Sequence, residues 1–447
     1  MDPITYTIAL GAAGAGGAAE NYWFTIYYDE GEGATKVVSV AADSAGNVFT
    51  GGEYNVSQFS GIPNGSGNGI VKYDKDGAPQ FSKTNKIASH NVAGRSQDVA
   101  VDSSDNVYLV GDVPYQSSLN HGAGFIAKYN NSGTRQWHKK LYLSGWGFGY
   151  KGVAVDSNDN VYAASRVYSG SYRFWLVKYN SSGTIQANKK ISGSSAMEIE
   201  GQGIAIDSSD NIYLTGISGN AAVTTKLNSS LAVQWSRAYG TDSHSPRSIA
   251  VDSSGNVYVR TYQSTNQHIL KYNSSGTLQW QRKVEITETG LDGGLTVDSS
   301  GNVYFSYRYA VSGGSIADLI VVKLNSSGTV LWKRQIETTD TSDGFRAKGL
   351  FHSGDNLYIS ALIYTSSGYA HDFVGKVPDD GSLTGTHSTT DFGNIIYASS
   401  TVSVTTPTLT DASHTATISD MTGMTAADSG MTEYSFTNPD EERITLS

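Results

Sequence analysis

The sequence predicts an all-β fold, a seven-bladed β-propeller whose blades are four-stranded antiparallel sheets. One motif returns seven times at nearly even spacing, a second motif follows each copy, and both combine alternating apolar residues with turn residues. We divide the 447 residues into a Gly/Ala-rich N-terminal arm (1–20), a seven-bladed propeller (21–381) and an acidic Thr/Ser-rich C-terminal tail (382–447).

The first motif reads apolar-x-apolar-Asp-Ser-x-x-Asn-Val-Tyr, and the asparagine marks each copy. The seven copies lie at Asn47, Asn106, Asn160, Asn211, Asn256, Asn302 and Asn356. Their intervals are 59, 54, 51, 45, 46 and 54 residues, which fit propeller blades of about 40–50 residues with insertions. In the seventh copy, His352 stands where the other six have Asp.

The second motif reads Lys-Tyr/Leu-Asn-x-Ser-Gly and is followed by an aromatic residue. Its lysines are Lys72, Lys128, Lys178, Lys226, Lys271, Lys323 and, in a degraded copy, Lys376. The aromatic residues are Phe81, Trp137, Trp235, Trp280 and Trp332, and the third copy has Ala187 instead. Because Asp and Asn side chains close tight turns and Gly tolerates a positive φ, both motifs predict hairpins, giving four strands per repeat.

Ring closure can be predicted from the aromatic strands. No Trp strand follows the last repeat at Gly381, whereas Asn21 to Tyr28 (NYWFTIYY) form a spare one at the start. Trp23 precedes Asp43 by 20 residues, and Trp137 precedes Asp156 by 19. We therefore expect the N-terminal strand to close the ring as the outer strand of the seventh blade, where it would pair an open edge.

The two rims of the ring differ in their loops. Turns one and three of each repeat are constant and share one rim, whereas the other two connections vary in length and share the opposite rim, which favours a binding role. We predict that this variable rim binds a partner through Tyr115, Trp146, Tyr150, Tyr168, Tyr172, Tyr262, Tyr307, Arg308, Tyr309 and Tyr369. The alternative is that individual tyrosines pack between blades.

Several chemistries are disfavoured by composition. The chain has no Cys, which excludes disulfides, Fe–S clusters and thiol nucleophiles, and its net charge of −10 argues against nucleic acid as a partner. No apolar run reaches the length of a membrane span.

The repeated Asp residues suit hairpin turns better than calcium. His121, His244, His268 and His371 could converge near the channel as ligands, but solvated loop histidines are the simpler reading, so we predict no catalytic residue, metal or cofactor.

Both ends of the chain carry biased segments. Ile4 to Ala19 can be interpreted as a Gly/Ala arm, a docking peptide or a signal peptide, although a positive region in front of it is missing. Residues 382–447 hold eight acidic residues and one basic residue, Arg443. Three interpretations stay open for this tail: disorder, pairing with the propeller, or pairing with other copies.

The repeats resemble known families. GIAVDSSGNVYV-type copies are similar to NHL-like and SBBP-type bacterial propeller repeats over about residues 22–381. More loosely, the arm before YWF, the ring and the TLTD/TISD tail resemble virion appendage proteins of tailed bacteriophages, particularly cyanophages. This second resemblance implies a non-enzymatic tail or fibre component in the virion, present as a homo-oligomer or in many copies, that contacts other virion proteins or a host-surface glycan.

Two other functions remain open at this stage. One is a secreted or cell-surface bacterial propeller that binds glycan or protein, with an extracellular location. The other is a propeller lyase or hydrolase, because propellers of this kind carry several functions and the fold does not decide between them.

Overall fold

The computed structural model describes most of the ring and short stretches of the tail. The described residues are 4–12, 21–28, 36–55, 66–87, 94–114, 122–142, 147–168, 172–193, 197–198, 202–241, 243–264, 266–285, 293–310, 317–340, 343–365, 370–388, 394–400, 404–405, 411–413, 416–420, 425–427, 431–436 and 441–444. Across these stretches every regular element is a β-strand, and none contains a helix that could span a membrane.

The strands are numbered along the chain, beginning with an N-terminal hairpin. This hairpin is β1 (Ile4–Ala12) and β2 (Asn21–Tyr28). The first blade has β3 (Lys36–Ala42), β4 (Val48–Asn55), β5 (Ser66–Tyr73) and β6 (Pro79–Ile87). The second has β7 (Arg95–Val101), β8 (Val107–Pro114), β9 (Gly122–Tyr129) and β10 (Arg135–Tyr142). The third has β11 (Gly147–Val155), β12 (Val161–Tyr168), β13 (Tyr172–Tyr179) and β14 (Ile185–Gly193).

The remaining blades follow the same plan. The fourth has β15 (Met197–Glu198), β16 (Ile204–Ile206), β17 (Ile212–Ser218), β18 (Ala221–Leu227) and β19 (Val233–Tyr239). The fifth has β20 (Ser245–Val251), β21 (Val257–Gln263), β22 (Asn266–Tyr272) and β23 (Leu278–Glu285). The sixth has β24 (Leu295–Val297), β25 (Val303–Ala310), β26 (Ala317–Leu324) and β27 (Val330–Thr338). The seventh has β28 (Gly344–Ser353), β29 (Asn356–Tyr364) and β30 (Ala370–Pro378).

These sheets form a closed ring, so the predicted seven-bladed propeller is confirmed. The innermost strands β3, β7, β11, β16, β20, β24 and β28 contact one another in a closed cycle. The apolar core lies between neighbouring blades: Val110 of the second blade belongs to the same buried cluster as Trp175 and Val177 of the third. The alternation seen in the sequence therefore gives each sheet two buried faces.

The seventh blade is completed by the N-terminal hairpin. Strand β2 pairs antiparallel with β30, with Trp23 opposite Lys376, as the sequence predicted. The predicted arm is in part a strand, because β1 pairs antiparallel with β2 from Ile4–Tyr28 to Ala12–Asn21. The rest of the arm, residues 1–3 and 13–20, lies outside the described residues.

The tail adds one further strand to every blade and a second one to the sixth blade. Its strands are β31 (Gly385–Ser388), β32 (Asn394–Ser399), β33 (Val404–Thr405), β34 (Asp411–Ser413), β35 (Ala416–Asp420), β36 (Thr425–Ala427), β37 (Met431–Phe436) and β38 (Glu441–Ile444). Strands β32 to β37 pair antiparallel with the fourth strands of blades six, five, four, three, two and one in that order. Strand β38 then pairs parallel with β1 on blade seven. We call β32–β38 the belt, because it makes one circuit of the ring and pairs with the propeller, one of the three interpretations left open.

Candidate functional site

The repeated Asp residues of the constant rim are used within their own turns. Asp102 accepts hydrogen bonds from the backbone N–H groups of Ser104 (3.0 Å) and Asn106 (2.8 Å) and from the Tyr108 hydroxyl (3.0 Å). The Lys128 ammonium lies 3.0 Å from the same carboxylate. Burial alone would raise the pKa of Asp102, but the hydrogen bonds from Asn106 and the charge of Lys128 hold it below its ordinary value. These contacts give the repeated Asp a structural role.

In blades two, four, five and six, the lysine and tryptophan of the repeat bind the next blade. Trp137 Nε1 donates to the Ser181 carbonyl (3.0 Å), and Lys128 Nζ lies 3.4 Å from the same oxygen. Three other joints repeat this arrangement, with a lysine and a tryptophan that donate to the same backbone carbonyl. These are Lys226 and Trp235 at the Ser274 carbonyl, Lys271 and Trp280 at the Ser326 carbonyl, and Lys323 and Trp332 at the Asp379 carbonyl. This arrangement, which we call the joint between blades, explains why the second motif contains both a lysine and a tryptophan.

The glycine of the second turn belongs to the same joint. A Cβ at Gly276, where φ is +79°, would lie 2.7 Å from the Trp235 ring, so the ring packs directly on the backbone. The third blade has Ala187 instead of the aromatic residue, and the turn it faces has Leu231 instead of glycine. Leu231 keeps a left-handed φ of 65° and is buried, with Ala187 packed against the same cluster. The leucine side chain thus fills the place that an indole takes in neighbouring blades.

A second contact joins the first turns of blades one to four. Asp159 has a left-handed φ of 58°, and its carboxylate accepts from the Ser103 N–H and hydroxyl, each at 3.0 Å. Ser44 with Asp105 and Ser157 with Asp210 repeat this contact. Gly255 and Gly301 take the equivalent left-handed position in blades five and six. A turn with Asp at this left-handed position therefore links neighbouring blades, whereas a turn with Gly at the same position avoids backbone strain.

His352 forms the centre of the degraded seventh repeat. In this hairpin His352 lies opposite Leu357, whereas in the first blade Ala42 lies opposite Val48. The turn of the seventh blade is therefore one residue shorter than the turn of the first. His352 Nε2 lies 2.9 Å from Asp379 Oδ2.

Asp298, His352 and Asp379 bring three potential ligand atoms within 4.8 Å of one another, and we tested them as a metal site. Asp379 Oδ2 also accepts from the Tyr304 hydroxyl (2.8 Å) and lies 3.6 Å from Lys323 Nζ. Because a lysine cation already neutralises this carboxylate, we assign the cluster to the joint between blades six and seven.

The predicted rim residues separate into buried and half-buried groups. Tyr150 and Tyr307 are fully buried, and Tyr262 is buried, so the prediction that they contact a partner is corrected. The Tyr150 hydroxyl lies 2.6 Å from that of Tyr179, and Tyr307 stacks on Phe305 at 6.0 Å. The physical reason is that strand ends at the rim still lie between two sheets, so alternate side chains face the core.

Two predicted residues remain partly accessible. Arg308 and Tyr309, at the rim end of β25, are half-buried. Nearby on blade seven, Arg346 is exposed and its Nη1 lies 3.4 Å from the Tyr364 hydroxyl. The side chains of Tyr115, Trp146, Tyr168, Tyr172 and Tyr369 lie outside the described residues.

A pair of acidic side chains shares one amide donor beside this part of the rim. Gln335 Nε2 donates to Asp318 (2.8 Å) and to Glu337 (2.9 Å). Burial, together with the nearby charge of Glu337, raises the pKa of Asp318 to about 6. Tyr309 lies opposite Asp318 in the sheet, so this polar group adjoins the half-buried rim residues.

Two of the histidines considered as channel ligands do meet, but between blades. The rings of His244 and His268 are 5.0 Å apart and both are buried against Tyr239 of the fourth blade. Burial, with smaller contributions from His244 and Lys283, lowers the pKa of His268 to about 3. His371 is buried in β30, and His121 lies outside the described residues. His268 is therefore uncharged at neutral pH, and the pair belongs to the joint between blades four and five.

The channel is crossed by a network that sequence reasoning missed. Gln202 Nε2 of the fourth blade donates to Ser39 Oγ of the first (2.9 Å), and Ser39 Oγ donates to Asp98 of the second (2.6 Å). Asp98 also accepts from the Val153 N–H of the third blade (3.0 Å), and burial raises its pKa to about 6. Ser39 and Asp98 follow directly on β-bulges in their strands. In the sequence, a small or polar residue stands four positions before the repeat Asp, as Ser39 and Asp98 do. This pattern was the signal from which the network could have been predicted.

Comparison with known proteins adds a few distant structural neighbours. No family model and no characterised protein sequence matches this chain. A protein of unknown function from Dyadobacter fermentans is similar over 78% of this chain and 96% of its own, with 11% identity and a TM-score of 0.47. A protein from Lactobacillus plantarum covers 79% and 99%, with 15% identity and a TM-score of 0.45. A Hadza microbial sialidase covers 77% and 66%, with 9% identity and a TM-score of 0.41.

Proposed function

We propose that this propeller is a non-enzymatic virion component, a tail or fibre element that displays its variable rim to other virion proteins or to a glycan on the host surface. The observation that carries the proposal is that the tail places a short outer strand, of two to six residues, on every blade. Because short edge strands disfavour edge-to-edge pairing, the two rims are left as the surfaces for contact.

The division of labour between the rims supports a display role. On the constant rim, the repeated Asp and Tyr side chains stabilise their own turns, as Asp102 and Tyr108 do, and the repeated Lys side chains bind the next blade, as Lys128 does. On the variable rim, sequence differs from blade to blade, and Arg308, Tyr309, Arg346 and Tyr364 provide aromatic faces and cationic donors. Such groups suit sugar rings or a protein surface, and many copies on one particle would convert weak contacts into avidity.

The first experiment is localisation in the source culture. An antibody raised against the purified chain should label intact phage particles by immunogold electron microscopy. Labelling of the cell envelope instead would refute the virion assignment and favour the secreted or cell-surface binding module. Light scattering on the full chain would show whether it forms the expected homo-oligomer.

The second experiment tests display on the rim. A glycan array, screened with the wild-type chain, should give binders that are lost in the variant Arg308→Ala, Tyr309→Ala, Arg346→Ala. The matched control replaces three exposed polar residues near the constant rim, Gln136→Ala, Gln234→Ala and Gln279→Ala, and should bind as wild type does. Equal loss in both variants would contradict a rim site, and cleavage of any arrayed glycan would contradict a non-enzymatic function.

A further inference from the structure

The joint between blades one and two differs from the others in the residue that receives the lysine. In three other joints the lysine meets the backbone carbonyl of a serine, namely Ser181, Ser274 or Ser326. Here Lys72 Nζ donates to the backbone carbonyl of Asn131 (3.0 Å) and also contacts Oδ1 of the Asn131 side chain. The asparagine therefore brings a carboxamide group to a lysine amine.

A carboxylate lies beside both groups. Asn131 Nδ2 donates to Asp43 Oδ2 (3.2 Å), and Lys72 Nζ lies 3.9 Å from the same oxygen. Asp43 is held in this place by its own turn, because its Oδ1 accepts from the backbone N–H groups of Ala45 (3.0 Å) and Asn47 (2.8 Å), and Asn47 Nδ2 donates to its Oδ2 (2.7 Å). One fixed carboxylate oxygen thus faces the nitrogen of the amine and the nitrogen of the amide.

The surroundings of these three groups are apolar. Lys72 and Asp43 are buried, and Lys72 Nζ lies over the ring of the fully buried Phe49, 5.3 Å from its centre. Phe81 stands where other joints have a tryptophan, so no indole N–H competes with Lys72 for Asn131. Burial lowers the pKa of Lys72 below its ordinary value, against the opposing charge of Asp43, which increases the share of neutral amine. A neutral amine is the form that can act as a nucleophile.

We propose that Lys72 and Asn131 form an isopeptide bond between their side chains, which links blade one covalently to blade two. The contact between Lys72 Nζ and Asn131 Oδ1 places the amine next to Cγ, which is bonded to that oxygen at about 1.2 Å. Two reactants held in this way react as parts of one molecule, which removes most of the entropic barrier. The modification lies on the constant rim and is independent of the display function proposed above.

The reaction needs only the groups already present. Asp43 accepts a proton from the Lys72 ammonium, and the neutral amine attacks Cγ of Asn131, forming the Nζ–Cγ bond. Asp43 then gives that proton to Nδ2, the Cγ–Nδ2 bond breaks, and ammonia leaves. The new amide nitrogen loses its extra proton to the ammonia, so ammonium is released and Asp43 is ionised again. No oxidant or other reactant is consumed, and Asp43 acts as the general base and acid.

The test is mass spectrometry of the denatured, purified full chain. The wild type should be lighter than its sequence mass by one ammonia, about 17 Da. Trypsin should release residues 129–135 joined to residues 37–75, in which Lys72 stays uncut, and fragmentation should place the bond on Asn131 and not on Asn130. Recovery of both peptides unlinked at full mass would overturn the proposal. Loss of ammonia from an unlinked 129–135 peptide, the sign of a succinimide, would overturn it as well.

Four variants assign the roles. Asn131→Ser gives this joint the serine of the other joints, so it should fold as wild type does, by circular dichroism, and keep its full mass. Lys72→Met should also keep its full mass, whereas the matched control Lys128→Met, in the next blade, should still lose one ammonia.

The carboxylate is tested separately. Asp43→Asn should be recovered largely unlinked, because general acid–base catalysis contributes about 10²–10⁴-fold to a rate. Complete linkage in Asp43→Asn would overturn the role given to Asp43, and loss of ammonia in Asn131→Ser would overturn the assignment to Asn131.

Discussion

Leu231 and Ala187 offer a direct test of the joint between blades. The change is to give the third and fourth blades the Trp-on-Gly contact of their neighbours through Ala187→Trp and Leu231→Gly, made singly and together. Leu231→Gly alone removes a buried side chain, which costs about 2–5 kcal/mol for a leucine, but relieves about 1–2 kcal/mol of left-handed strain. We expect a net loss of about 1–3 kcal/mol.

Ala187→Trp alone forces an indole into the space that Leu231 fills. Overpacking of this kind costs about 1–3 kcal/mol. In the double variant the indole can lie on the glycine backbone, as Trp235 lies on Gly276, and donate a hydrogen bond worth about 0.5–1.5 kcal/mol. The double variant should therefore lie within about 1 kcal/mol of wild type, with a favourable coupling free energy of at least about 1 kcal/mol.

The assay is urea unfolding of the four proteins followed by circular dichroism. The reverse exchange in a neighbouring joint, Trp235→Ala with Gly276→Leu, is the matched control and should show coupling of the same sign. If the two single changes add within about 0.5 kcal/mol in both joints, the residues do not exchange for one another and the account of the joint is wrong.

Two further predictions concern single contacts. Asp159→Gly loses the hydrogen bonds to Ser103 but relieves the strain of a left-handed φ, so the melting temperature should hardly change. Ser103→Ala loses a hydrogen bond without relieving strain and should cost about 0.5–1.5 kcal/mol of stability. A larger loss of stability in Asp159→Gly than in Ser103→Ala would contradict this balance. The folded pKa of His268 lies below its unfolded value, so its protonation favours the unfolded chain as pH falls from about 6.5 towards 3. His268→Gln should make acid destabilisation shallower by about 1.4 kcal/mol per pH unit in calorimetry, and parallel profiles would refute it.

The repeats made most of the ring predictable. Asp102 with Tyr108, and Lys128 with Trp137, recur at fixed spacing within their motifs because most blades share the same turn and joint. The missing Trp strand after Gly381 indicated how Trp23 closes the ring. These features are local patterns repeated seven times, which a single sequence shows clearly.

The belt and the inner network could not be predicted in the same way. Belt strands of two to six residues are too short for alternation to be recognised, and six of the seven pair with strands more than about 100 residues away. The contact between Gln202 and Ser39 depends on where two bulged strands meet across the channel. Tyr150 and Tyr307 were assigned to the surface because loop ends were treated as exposed, although both lie between sheets.

The shared seventh blade has a consequence for synthesis on the ribosome. Strand β2 leaves the ribosome early, but β30, which pairs with it, is complete only about 350 residues later at Pro378. At roughly 5–20 residues per second, NYWFTIYY waits for about 20–70 s with its partner edge still unmade. During that time the nascent chain carries an apolar strand able to pair with a neighbouring nascent chain, so yield should depend on how closely ribosomes follow one another on the message. Moving this hairpin behind Pro378 by circular permutation would remove the delay.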